Sequence, residues 1–123
     1  MKQLLIVMLG SGLGGGLRYL LTMVIGRLIP LSFPFGTMGV NLLGCLLIGL
    51  FYGLATKGMM DPTLKLFLTT GLCGGLTTFS TFMNENLQLL RDDNLFYFAL
   101  YAGLSVALGL TMVYVGNLLV KIA

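Results

Sequence analysis

The sequence contains no histidine and no tryptophan, two cysteines, and four acidic residues against seven basic ones in 123 positions. Without histidine, most metal-ligand sets and Ser/His/Asp proton relays are closed off. Charged residues make up 9% of the chain, where a soluble domain carries roughly 25%, so a water-facing surface cannot be built. The same scarcity excludes disorder, which goes with few apolar residues and much charge. A net charge of +3 spread over an apolar chain is no nucleic-acid footprint. These cations either sit at membrane edges or have a reason to be inside. Cys45 and Cys73 stand alone in apolar runs and read as small hydrophobes.

What the chain has is apolar length: 57% of it is hydrophobic, and 18 residues are glycine. A membrane-spanning helix needs about 20 mostly apolar residues. Four stretches qualify, at 4–29, 35–56, 64–90 and 95–120. Pro30 and Pro34 punctuate the first break, and Lys57 and Gly58 close the second helix. Asp61 followed by Pro62 is an N-cap with proline at the first helical position. Arg91, Asp92, Asp93 and Asn94 form the third break and cap the fourth helix. No linker divides the chain, so residues 1–123 read as one four-helix transmembrane domain, an all-α integral membrane protein. The apolar run after Lys2 resembles a signal peptide but continues past any small-residue cleavage pattern, so the first helix is expected to be retained.

Both termini and the second break fall on one side with Lys2, Lys57, Lys65 and Lys121, against Arg27 and Arg91 on the other. That is a weak positive-inside bias, compatible with insertion in both orientations and pairing of opposite copies. GxxxG spacings recur at Gly10/Gly14, Gly12/Gly16, Gly49/Gly53 and Gly71/Gly75, as close helix packing in lipid requires. Helices so packed leave no lumen of their own, so a conduction path is expected between subunits. Gly10-Ser11-Gly12-Leu13-Gly14-Gly15 satisfies the dinucleotide fingerprint, but it lies inside an apolar helix and no acid occurs before Asp61.

Depth is the informative coordinate. Measured at a rise of about 1.5 Å per residue from the face bearing the first and third breaks, Asn41 lies roughly 9 Å deep and Arg18 about 16 Å. Glu85, Phe82 and Phe79 fall near 8, 12 and 16 Å, and Tyr101 and Ser105 at roughly 9 and 15 Å. Polar groups from all four helices thus collect in one half of the bilayer, where unpaired polar groups are costly and mark ion or substrate pathways. Taken singly, each has a plainer role: Arg18 snorkelling, Asn41 gluing helices, Glu85 pairing with Arg18 or reaching headgroups.

The third stretch carries the densest signal. From Gly71 to Phe82 it combines three glycines with four hydroxyl residues at mid-membrane. Glycine costs about 1 kcal/mol in a helix interior, and the run predicts a broken helix whose freed carbonyls can hold a cation. Phe79 and Phe82 share a face at i, i+3, with Thr77, Thr81 and Glu85 on a neighbouring stripe. Ring edges are positive, and hydroxyl or amide donors opposite them suit a small, hard, hydrogen-bond-accepting anion.

Three blocks carry a resemblance along essentially the whole chain: Gly15-Gly16-Leu17-Arg18-Tyr19, Gly36-Thr37-Met38-Gly39-Val40-Asn41, and Gly74-Gly75-Leu76-Thr77-Thr78-Phe79-Ser80-Thr81-Phe82. In these the chain resembles the Fluc (CrcB) fluoride channel family, with no departure at a motif position. The resemblance implies an antiparallel, dual-topology homodimer in the bacterial inner membrane, with two fluoride pores and one structural sodium ion at its centre. It implies that the carbonyls of Gly74 and Thr77 from both subunits hold the sodium. Asn41, Phe79 and Phe82 would line the fluoride path, with Arg18 in the vestibule; Ser80, Thr81, Tyr101 and Ser105 match a looser pattern. The task implied is passive export of fluoride that entered as hydrogen fluoride. The rival reading is a small dual-topology proton-coupled multidrug transporter, which needs a membrane carboxylate to exchange proton and cation. Here the first helix carries Arg18, and Glu85 is the one intramembrane acid. With no nucleophile–base pair, an enzyme is not expected.

Overall fold

A computed structural model describes residues 1–30 and 33–123. Helix α1 runs Lys2–Leu28 and α2 Phe35–Thr56. The third span comprises α3 (Pro62–Leu66), a wider-turned π segment (Phe67–Cys73), α4 (Gly74–Leu76) and α5 (Phe79–Arg91). Helix α6 runs Leu95–Ile122. These make four stretches long and apolar enough to cross a membrane, the third taken as Pro62–Arg91. In the first break, Leu31 and Ser32 lie outside the described residues.

The ends form where the sequence places them. Asp61 Oδ2 accepts from the N–H groups of Thr63 and Leu64 at 3.1 and 3.2 Å, and Pro62 opens α3. Asn94 Oδ1 accepts from Tyr97 N–H at 3.2 Å to start α6. Gly58 turns the chain with φ +73°, a conformation that favours glycine.

Packing is by glycine, not by a broad apolar core. In α1 the buried residues are Gly10 and Gly14. A methyl group on Gly10 would come within 2.9 Å of Gly71 Cα, and one on Gly75 within 2.9 Å of Ser11 Cα. The backbones of α1 and the third span therefore touch, and Ser11 donates to Gly71 O across the contact at 3.3 Å. Helices α2 and α6 meet the same way: a methyl on Gly116 would lie 2.8 Å from Leu50 N, and one on Gly53 would press on Val120. Gly12 and Gly16 differ, since among the described residues nothing lies within 4 Å of a methyl placed on either. Large apolar side chains such as Leu5, Leu9, Leu110 and Tyr114 point outward, which suits lipid as the solvent.

One side-chain cluster does form, from Phe33, Met38, Phe82, Leu89 and Tyr101. Tyr101 is fully buried, with edge-on contacts to Phe82 at 4.9 Å and Phe33 at 5.6 Å between ring centroids. The cluster fixes α5 against α2 and α6 where the polar residues gather.

Candidate functional site

The site is organised around two residues whose backbone is extended: Thr77 (φ −90°, ψ 155°) and Thr78 (φ −148°, ψ 126°). Gly74 before them is helical, at φ −62° and ψ −38°. The glycines of this run serve the close approach to α1, and the non-helical residues are threonines. This corrects the reading that set Thr77 on one helical stripe with Thr81 and Glu85. That stripe needs continuous helix, whereas Thr77 turns its hydroxyl back to Cys73 O at 3.0 Å.

Side chains from the other spans stitch this segment. The Asn41 amide accepts from Thr78 N–H at 2.8 Å and donates to Thr78 O at 3.2 Å, a two-point bridge from α2. From α1, Arg18 Nε donates to Gly75 O at 3.1 Å. Thr78 then caps α5, its hydroxyl accepting from Thr81 N–H at 3.3 Å and donating to Thr81 Oγ1 at 3.2 Å. Each polar bond is strong here because the alternative is an orphaned group in hydrocarbon.

The stitching has a consequence for the carbonyls. In an unbroken helix Gly74 O would accept from Thr78 N–H and Thr77 O from Thr81 N–H. Both donors are spent elsewhere, on Asn41 and on the Thr78 hydroxyl. Gly74 and Thr77 thus offer hard oxygens without their helical donors, at the edge of a groove of about 570 Å³.

Asn41, Phe79, Phe82 and Ser105 line that same groove, between α2, the third span and α6. Phe79 is 72% exposed and Phe82 8%, their ring centroids 6.2 Å apart. Ser105 Oγ is buried with no hydrogen-bond partner among the described residues. Asn41 keeps a second amide N–H beyond its bond to Thr78, since a primary amide carries two. The groove therefore combines free donors with aromatic rims.

Arg18 and Thr81 line a different cavity, of about 210 Å³, with Thr22, Thr37 and Thr78. It is a cationic, hydroxyl-rich recess. Glu85 does not bond Arg18: its two oxygens accept from Thr37 Oγ1 at 3.0 Å and Tyr101 OH at 2.8 Å. That acid ties α5 to both α2 and α6, and opens on a third cavity of about 310 Å³ near the first and third breaks. Ser80 is exposed and lines none of these three spaces. The sequence alone assigns no role to Thr37 or Thr78. Thr37 was findable, because it sits four residues before Asn41 on one face of α2; the bond between Thr78 and Asn41, 37 positions apart, has no local signal.

Residues 5–117 match the family model described as CrcB-like protein, Camphor Resistance (CrcB). Among curated proteins, the chain is 49% identical over 122 residues to the fluoride-specific ion channel FluC of Flavobacterium psychrophilum, covering 98% of each chain. It is 51% identical over 116 residues to the FluC of Phocaeicola vulgatus, covering 94% of this chain and 96% of that one. With the FluC of Bacteroides fragilis it shares 43% over 122 residues, covering 97% and 96%.

Proposed function

The chain belongs to the CrcB family, a family of ion channels and not of enzymes, and from that premise we propose that it is a fluoride channel, passing the anion along the groove of Asn41, Phe79, Phe82 and Ser105. The observation that carries this reading is the pairing of a buried, unpartnered Ser105 hydroxyl and a spare Asn41 N–H with aromatic edges in one groove. A fluoride ion leaving water must exchange its hydration shell for donors, and these are the donors on offer. Arg18 in its recess raises the local anion concentration and carries no acid beside it to cancel the effect.

The assembly we propose is an antiparallel homodimer with two such paths. The reason is asymmetry in depth: the donors of one copy occupy one half of the membrane, and an inverted copy supplies the other half. The weak lysine and arginine asymmetry permits insertion both ways. At the dimer centre, the carbonyls of Gly74 and Thr77 from both copies would hold one sodium ion, and their lost helical donors support the fit. Bound there, the ion supplies a fixed positive charge that ties the two extended segments together. Transport is passive. In a bacterial inner membrane the negative interior drives an anion outward by about 2.3 kcal/mol per 100 mV.

Aromatic substitution tests the path. Loss of one positive ring edge should cut fluoride efflux about tenfold, a barrier rise of about 1.4 kcal/mol, in Phe79→Ile and in Phe82→Ile reconstituted in liposomes, with the oligomer unchanged on size exclusion. Wild-type efflux in both variants would remove the rings from the path.

A further inference from the structure

At the end of the molecule opposite Glu85, α2 and α6 leave a cleft of about 260 Å³, lined by Thr56, Lys57, Tyr114, Asn117, Leu118 and Lys121 among others. The conduction groove and the Arg18 recess contain none of these six residues. Lys57 reaches across the cleft to donate to Val120 O at 2.5 Å, capping the last turn of α6 with a cation. An ammonium has three N–H donors, so two remain. Lys121 stands exposed beside it, and no acid is among the lining residues. Tyr114 is 66% exposed, an amphipathic ring suited to the headgroup level. Gly53 and Val120 close the apolar floor, since a methyl on Gly53 would touch Val120 Cβ at 3.1 Å.

We propose that this cleft binds one anionic phospholipid, its phosphodiester between Lys57 and Lys121 and its acyl chain running down past Leu118. Charge complementarity and position select this occupant. Two lysines line one cleft at a helix end that membrane depth puts at the headgroups, above an apolar wall continuing into the bilayer. A free phosphate would use the lysines but leave that wall bare. The proposal rests on the membrane-spanning fold alone and is independent of the ion conducted.

Native mass spectrometry of the purified protein in neutral detergent, titrated with phosphatidylglycerol, tests it. One lipid per chain should bind with preference over phosphatidylcholine of the same acyl chains. Lys121→Gln should weaken it about fivefold, the value of one lysine near an anionic surface. Lys2→Gln, which removes the same charge at the same end but outside the cleft, should not. Lys57→Gln also uncaps α6, so Lys121→Gln, at an exposed side chain, is the deciding variant. Equal binding of phosphatidylcholine, equal weakening by Lys2→Gln, unchanged binding in Lys121→Gln, displacement by millimolar inorganic phosphate, or a second copy of the chain occupying the cleft would each overturn the proposal.

Discussion

Asn41→Asp should bring fluoride efflux down to the level of empty liposomes. The native amide serves two masters, accepting from Thr78 N–H and donating to Thr78 O. A carboxylate keeps the first bond and sets two acceptors against each other at the second, at a cost of about 1–3 kcal/mol. It also puts a negative charge on the groove proposed for the anion. At an effective dielectric near 20, like charges 4 Å apart repel by about 4 kcal/mol, roughly a thousandfold in rate. Asn41→Leu removes both hydrogen bonds and the spare N–H without adding charge, so its loss should be smaller and the difference between the two variants measures the charge. Efflux in Asn41→Asp at the wild-type level would take Asn41 out of the conduction path.

The second large effect is on the fold. Gly116→Val is expected to leave no monodisperse protein after extraction, because any β-carbon at Gly116 meets backbone atoms of Leu46, Gly49 and Leu50, which cannot step aside. The α2 and α6 axes would have to separate, forfeiting the contact that holds them in lipid. Overpacking a core by even a few atoms costs about 1–3 kcal/mol, and here the clash is with main chain. Gly12→Val is the matched control, since Gly12 has open space around it among the described residues and valine is no worse a helix former than glycine; it should stay monodisperse, with a thermal midpoint no lower than that of the unaltered protein. Equal behaviour of the two variants in size exclusion and thermal unfolding would refute interlocking through Gly116.

The contrast between these two positions shows what can be read from the chain. Four spans are legible because apolar length is a one-dimensional property; Asp61 and Asn94 mark helix starts through local bonds to N–H groups two or three residues on, and Pro62 through its place at the first helical position. GxxxG spacing announces close packing, but not against what. Gly10 and Gly14 meet the third span while Gly12 and Gly16 meet none of the described residues, although all four lie on one helix. The glycines between Gly71 and Gly75 invite a loss of helix at themselves. The extended residues are instead Thr77 and Thr78, held by an amide 37 positions away. The π turns of Phe67–Cys73 carry no composition that distinguishes them from α-helix. Glu85 is plain as an acid within the third span, yet its hydroxyl partners Thr37 and Tyr101 come from other spans. Tyr101 lies at the same depth as Glu85 by residue count, whereas the Arg18 pairing that charge alone suggests is replaced by the Arg18–Gly75 bond.

The most direct measurement is ion efflux from liposomes holding the purified protein. With potassium fluoride inside, a potassium ionophore added and no proton gradient, a fluoride electrode should record rapid, complete release. The same vesicles loaded with potassium chloride should stay closed. Release of chloride at a comparable rate, or fluoride release that appears only when a proton gradient is imposed, would contradict the account.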